Sequence, residues 1–158
     1  MAIDLGCDLP FFLQDGPAVV LGRGEKVEIE RPFEALQGRG VLLIHPGFGV
    51  STPWAYRLLN ISNETSGEER QIEAALDSLR KGKFSCLFNS FEKPIFEKHL
   101  ILSVLKKFLL RHGAIGALMS GSGSTTFAVT EDVLVAESLR SKFHQEFGQA
   151  WWSEAVSL

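Results

Sequence analysis

A short loop of alternating serine and glycine stands between two apolar segments in the C-terminal part of the sequence. It reads Met119-Ser120-Gly121-Ser122-Gly123-Ser124, and the flanking residues 114–119 and 125–130 are typical of short strands. Glycine adopts backbone angles closed to other residues and lets a ligand approach the main-chain N–H groups closely. The loop is therefore either a tight turn or a backbone cradle for a phosphorylated ligand, and the sequence alone leaves both open. It is not a Walker A loop, because no Gly-Lys-Ser/Thr is present, and a strand rather than a helix follows it, unlike a dinucleotide-binding loop.

Composition limits the classes of protein that this chain can represent. Its 158 residues suit one domain, and a hydrophobic content of 45% with a mean hydropathy of +0.08 suffices for a buried core. The formal net charge of −3 gives no general attraction to nucleic acid or to anionic lipid. Cys7 and Cys86 lack the spacing of a zinc site and are too few for a disulfide framework, which favours a reducing, cytoplasmic setting. No apolar run is long enough to span a bilayer.

The pattern along the chain is strands first, then helices, then a strand–helix–strand ending. It predicts a hairpin between 10–13 and 18–21, a strand at 26–30 and a central strand at 41–44. Helical spacing predicts helices at 54–60, 68–81 and 89–111, with a polar loop at 60–67 and a further helix after Asp132. The order predicts an α+β sandwich with helices on one face of a mainly antiparallel sheet.

Few residues outside the loop suggest chemistry. Asp8 lies before Pro10 at the edge of the predicted sheet, where it is either a turn residue or a carboxylate placed to accept a hydroxyl proton. Tyr56 follows a Ser-Thr-Pro helix start and is either a packing residue or an aromatic surface for a base. The histidines are scattered and predict no metal site. The basic residues of the long helix, Lys106 among them, are interpreted as its solvated face.

Taken in order, several segments resemble the GHMP kinase superfamily, and within it the kinases that act on 4-diphosphocytidyl-2-C-methyl-D-erythritol. No single motif is specific, whereas their succession is. The matching segments are Leu5–Leu13, Gly22–Glu25, His45–Gly47 with Ser51–Tyr56, Asn89–Glu92 and Met119–Ser124.

The resemblance implies a fold, a reaction and roles for individual residues. The fold would be the ferredoxin-like C-terminal domain of these kinases over residues 1–158, with residues 1 to about 30 a remnant of the substrate and catalytic region. The reaction would be transfer of the ATP γ-phosphoryl group, with Mg²⁺, to the substrate's 2-hydroxyl in non-mevalonate isoprenoid biosynthesis. Asp8 would be the catalytic residue, and Tyr56 and Thr52 would bind the substrate. The remaining implied residues support the nucleotide phosphates, namely Gly121, Ser122, Gly123 and Ser124.

The resemblance also implies a missing partner. Members of the family are nearly twice as long and carry, in their N-terminal half, a glycine-rich loop that holds ATP and has no counterpart here. We therefore expect a fragment, a separately expressed domain or one piece of a larger assembly, inactive without an N-terminal half. Two alternatives stay open: another GHMP kinase of the homoserine or mevalonate type, and a non-catalytic ligand-binding or dimerisation module.

Overall fold

The structure, a computed structural model, describes residues 11–22, 24, 26–59 and 65–158, and the side chains of these residues except 65–70. Asp8 and Cys7 thus lie outside the described residues. The chain divides after Glu34 into two compact units, the second beginning at Ala35, and each is described by itself.

The smaller unit contains a two-stranded antiparallel hairpin. Strands β1 (Ala18–Leu21) and β2 (Lys26–Ile29) pair in register, with Ala18 opposite Ile29. The predicted strand at 10–13 is wrong for the residues described, because Phe11–Leu13 forms a single turn of 3-10 helix closed by the Gln14 N–H on the Phe11 carbonyl at 3.1 Å. β1 therefore takes β2 as its partner, and an apolar run of three residues did not distinguish a strand from a turn.

A four-stranded antiparallel sheet organises the larger unit. Its strands are β3 (Gly40–His45), β4 (Gly116–Met119), β5 (Thr126–Thr130) and β6 (Trp152–Ser157), and their order in the sheet is β4-β5-β3-β6. The apolar run that predicted a central strand is β3, which pairs with β5 on one side and β6 on the other. β4 lies at one edge of this sheet, so among the described residues one side of the strand has no strand beside it.

In the described residues of the larger unit, five α-helices accompany the sheet. They are α1 (Thr52–Leu58), α2 (Thr65–Arg80), α3 (Glu92–Lys98), α4 (Leu100–Arg111) and α5 (Val133–Phe147). Apolar residues of α4 and α5 pack with one face of the sheet in a single buried cluster that includes Leu105, Phe143 and Leu42. The predicted α+β class with an antiparallel sheet is confirmed. No helix in the described part of the chain is long and apolar enough to cross a membrane.

The long helix predicted over residues 89–111 is wrong in one respect, because it is two helices that meet at His99. The backbone of His99 is not helical (φ −125°, ψ 71°), and its ring stacks on Phe48 at 5.2 Å. Beyond the break, Leu105 and Leu109 of α4 join the sheet core, while Ile95 of α3 and Leu102 in the first turn of α4 share a second apolar cluster. The polar loop predicted at 60–67 is also too long, since α2 already begins at Thr65, and residues 60–64 lie outside the description.

Asp132 caps α5, and this contact yields a first prediction. Its carboxylate accepts the N–H of Val135 at 2.8 Å, satisfying one of the helix's unpaired first-turn donors. We expect Asp132→Ala to lower the free energy of unfolding by about 1 kcal/mol, measured by urea denaturation. Asp132→Asn keeps an accepting oxygen and should lose much less, so equal losses in the two variants would contradict the capping role.

Candidate functional site

The serine–glycine loop joins β4 to β5 and is closed by its own backbone. The Ser120 N–H donates to the Thr125 carbonyl at 2.8 Å, and the Gly123 N–H donates to the Ser120 carbonyl at 2.9 Å. Gly121 and Gly123 have φ angles of +54° and +89°, in the region that favours glycine. The glycines are therefore needed for the shape of this turn, whatever the turn binds.

The main-chain N–H groups of Gly121 and Ser122 have no acceptor among the described residues. Gly121 is exposed and Ser122 is half-buried, so both can be reached by a ligand. Successive free N–H groups in a turn form a site suited to an anion such as a phosphate oxygen. The loop thus has the capacity that a phosphate cradle requires.

The first residue of helix α1, Thr52, contacts the loop. Pro53 favours a helix start here because it needs no N–H partner, and the Thr52 hydroxyl oxygen lies 3.0 Å from that of Ser122. On the other arm of the loop, the hydroxyl of Ser124, which is 1% exposed, donates to the carbonyl of Phe48 just before α1. Two of the predicted loop residues are thus tied to the segment that carries the predicted substrate residues.

Tyr56 lies one helical turn after Thr52, on the same face of α1. Its side chain is 53% exposed, and its ring packs edge-to-face on Phe91 with centroids 5.0 Å apart. That contact holds the ring from one side and leaves much of it accessible to a planar ligand. Thr52, Tyr56 and Ser122 therefore belong to one continuous surface. Asp8 lies outside the described residues, and its predicted role stays a prediction.

A second apolar cluster fixes this surface from beneath. Its buried members come from α1, α3, α4 and the end of β4, and half-buried aromatic residues surround them. Trp54, the other aromatic of α1, belongs here as a packing residue, with its ring 6.1 Å from that of His99. The buried members are Ala55, Ile95, Leu102 and Met119.

Three polar side chains that the sequence did not assign to the site lie behind the loop. Asn89 donates to the carbonyls of Met119 (2.7 Å) and Gly121 (2.8 Å), and Glu92 accepts the Met119 N–H at 2.9 Å. Lys106 pairs with Glu92 at 2.5 Å, so its interpretation as part of a solvated face is wrong. The Asn-x-Phe-Glu motif was the only sequence signal for this group, and nothing local indicated Lys106.

A shallow depression of about 410 Å³ lies beside these residues and borders the loop. Asn89, Phe91, Ser120 and Gly121 are among the residues that line it. A nucleotide group next to the free amides of the loop would have room here. In the described part of the chain, no three His, Cys, Asp or Glu side chains converge as a metal site.

Comparison with known proteins identifies the family. The family model described as GHMP kinases C terminal matches residues 70–149, just over half of the chain. The chain belongs to the GHMP kinase C-terminal family. The matched region of this GHMP kinase domain includes the Asn89 group and the serine–glycine loop, and the family resemblance stated from the motifs is confirmed.

The relatives of this GHMP kinase domain carry one recurring name. A 4-diphosphocytidyl-2-C-methyl-D-erythritol kinase of Pelotomaculum thermopropionicum is 34% identical over 149 residues, covering 92% of this chain and 50% of the relative. The kinase of the same name from Nitratidesulfovibrio vulgaris is 38% identical over 133 residues, covering 82% and 46%. The chain spans about half the length of the curated relatives it matches.

Solved structures agree on the fold. A crystal structure of 4-(cytidine 5'-diphospho)-2C-methyl-D-erythritol kinase superposes with a TM-score of 0.73 at 26% identity, covering 99% of this chain and 55% of that one. A homoserine kinase from Cytophaga hutchinsonii gives 0.62 at 21% identity, covering 90% and 48%. The second likeness shows the shared fold alone.

Proposed function

We propose that this chain is the C-terminal portion of a kinase that transfers the γ-phosphoryl group of ATP to the 2-hydroxyl of 4-diphosphocytidyl-2-C-methyl-D-erythritol. This step belongs to non-mevalonate isoprenoid biosynthesis and takes place in the cytoplasm. The observation that carries the proposal is the 3.0 Å contact between Thr52 and Ser122, because it joins an anion-binding loop to the helix that presents Tyr56. The recurring name of the relatives supports the same substrate.

The loop would contribute to catalysis by holding phosphate. Phosphoryl transfer requires mostly positioning and neutralisation of charge, and main-chain donors fixed in advance provide both without reorganising during the reaction. The free N–H groups of Gly121 and Ser122 would bind phosphate oxygens of ATP. Mg²⁺ would arrive bound to those phosphates and neutralise part of their charge. The rest of the nucleotide site would come from an N-terminal half like that of the relatives, the protein partner in this proposal.

Asp8 would act at the other substrate. We place residues 1 to about 30 with the catalytic region and assign Asp8 to the acceptor hydroxyl. A carboxylate with an ordinary pKa of about 3.9 is a weak base at neutral pH. Asp8 would therefore mainly orient the hydroxyl and accept its proton late in the transfer.

Tyr56 would bind the cytosine ring, and this role gives the experiment that tests the proposal. Stacking of a base on an aromatic side chain contributes about 1–3 kcal/mol. We expect Tyr56→Ala to weaken binding of CMP by about tenfold or more, and Tyr56→Phe to retain it, because the ring and not the hydroxyl makes the stacking surface. Isothermal titration with CMP measures both variants.

A matched control is available for this test. Leu134 is also exposed, at 71%, and lies in the first turn of α5, which follows the end of β5 opposite the serine–glycine loop. Leu134→Ala should bind CMP as the parent chain does. CMP affinity unchanged in Tyr56→Ala would remove the cytidine role and favour a homoserine- or mevalonate-type kinase, or a non-catalytic module.

A further inference from the structure

Side chains bind the last residue of β4 on the side of the strand that faces no other described strand. β4 is an edge strand, and such strands present unpaired N–H and C=O groups on their free side. At Met119 both groups are satisfied: the carbonyl accepts from the Asn89 amide at 2.7 Å, and the N–H donates to the Glu92 carboxylate at 2.9 Å. These side chains thus hydrogen-bond to the last residue of the strand before the serine–glycine loop.

Asn89 reaches past the strand and into the loop itself. Its side-chain nitrogen also donates to the Gly121 carbonyl at 2.8 Å, so one amide group binds the chain on both sides of Ser120. Its side-chain oxygen accepts the Phe91 N–H at 2.9 Å, which fixes the orientation of the amide. Both N–H donors of the Asn89 side chain are then used, one on Met119 and one on Gly121. Gly121, whose carbonyl Asn89 binds, is also the first of the two residues whose N–H groups have no acceptor among the described residues.

Glu92 is itself held by a cation on another helix. One oxygen of the Glu92 carboxylate accepts from Met119, and the other pairs with Lys106 of α4 at 2.5 Å. The two side chains are only 14% and 22% exposed, so solvent screens this pair less than a surface ion pair. α4 is thereby joined to the base of the loop through a single carboxylate.

We infer that Asn89, Glu92 and Lys106 are positioning residues that hold the serine–glycine loop in the conformation that presents the amides of Gly121 and Ser122 to phosphate. This inference rests on the proposed function for its ligand, though not for its geometry. Donors held rigidly before binding favour the bound state, because little ordering remains to be done when the ligand arrives. The three residues act through the loop and do not touch the phosphate.

The decisive variant is Asn89→Asp. It keeps the size of the side chain but replaces a double donor with a carboxylate that faces the carbonyls of Met119 and Gly121. We expect amide hydrogen exchange at Ser120 and Gly123 to accelerate by about tenfold or more, since these N–H groups close the turn. We also expect ATP, titrated with Mg²⁺ and followed by the NMR shifts of the Gly121 and Ser122 amides, to bind about tenfold more weakly.

Controls separate positioning from general stability. Gln149→Glu makes the same change of amide to carboxylate at an exposed site, and Lys107→Met is the exposed neighbour of Lys106→Met on α4. Both controls should leave the loop amides and ATP binding unchanged, while Lys106→Met should weaken ATP binding several-fold. Glu92→Gln retains an acceptor for the Met119 N–H. Its loop exchange rates and ATP affinity should therefore lie between those of the parent and of Asn89→Asp. CMP affinity should stay within about twofold in all of them, whereas a general loss of folding would reduce it.

Loop amide exchange tests the positioning inference, and ATP binding tests the phosphate role, so the two can fail independently. Loop exchange that is unchanged in Asn89→Asp overturns the positioning inference, whether or not ATP binds. Loop exchange could be faster in Asn89→Asp while the parent chain shows no NMR shift with ATP. That result would support the positioning inference and remove the phosphate role from the proposed function. Equal effects in Asn89→Asp and Gln149→Glu would show that added charge and not the lost donors is responsible, and would also overturn the inference.

Discussion

Replacing Gly40 with alanine is expected to remove a large part of the folding stability of the larger unit. A Cβ atom at this position would lie 2.1 Å from the Asp132 carbonyl oxygen and 2.6 Å from the Thr130 hydroxyl. Neither atom can yield easily, because that carbonyl already accepts from the Thr130 hydroxyl at 2.7 Å and from the N–H of Ala136 in the first turn of α5. Relief therefore requires the central strand and α5 to separate.

The expected magnitude is large for a single methyl group. Overpacking in a rigid core costs about 1–3 kcal/mol and more when backbone must move, so we expect a loss of about 4 kcal/mol, against a typical total of about 5–15 kcal/mol. Urea denaturation followed by circular dichroism measures it. Gly49→Ala is the matched control, since a Cβ there meets nothing within 4 Å and the φ angle is ordinary. Similar unfolding midpoints for the two variants would contradict this packing at Gly40.

Replacing Gly123 with alanine is expected to have the largest effect on phosphate binding. The φ angle of +89° is strained for any residue with a side chain, and the new Cβ would lie 2.5 Å from the sulfur of Met119. Met119 is 1% exposed and packed in the cluster under the site, so it has little room to move. We expect the loop to leave its closed turn and ATP binding to fall by about thirtyfold or more, corresponding to about 2 kcal/mol.

Gly121→Ala separates backbone strain from the clash. Its φ angle is +54°, also in the left-handed region, but a Cβ there meets nothing within 4 Å. We expect a loss of about 1 kcal/mol, or about fivefold in ATP affinity, from the backbone alone. NMR titration with Mg²⁺ and ATP measures both. Equal affinities in the two alanine variants would mean that the contact with Met119 does not hold the loop.

The sheet of the larger unit was predictable because its strands carry local signals. β3 is an unbroken apolar run, and the glycines of the loop mark the turn between β4 and β5 in the sequence itself. The break at His99 was not predictable, since the apolar spacing continues through it and the contact of His99 with Phe48 is between residues far apart in the sequence. The predicted strand at 10–13 was wrong because so short an apolar run favours neither a strand nor a turn.

The contacts of Asn89, Glu92 and Lys106 with one another and with the loop were not predictable for a different reason. Asn89 bonds to residues 30 and 32 positions away, and Lys106 meets Glu92 across the helix break. A helical pattern places Lys106 among other basic residues and therefore predicts solvent around it. Only the turn at His99 brings that lysine back towards α3. The start of α1 at Thr52 and Pro53, in contrast, was predictable from the Ser-Thr-Pro motif, although its contact with Ser122 was not.

Phosphoryl transfer itself tests the central claim most directly. This chain would be mixed with the N-terminal half of the Pelotomaculum thermopropionicum relative, and transfer of label from ATP to 4-diphosphocytidyl-2-C-methyl-D-erythritol followed. The relative's own two halves serve as the positive control for assembly in trans. We expect a labelled product only when both halves are present, none with homoserine or mevalonate as acceptor, and loss of the product with Asp8→Asn. No transfer to the cytidine-linked substrate, in the presence of an active control mixture, would contradict the proposed function.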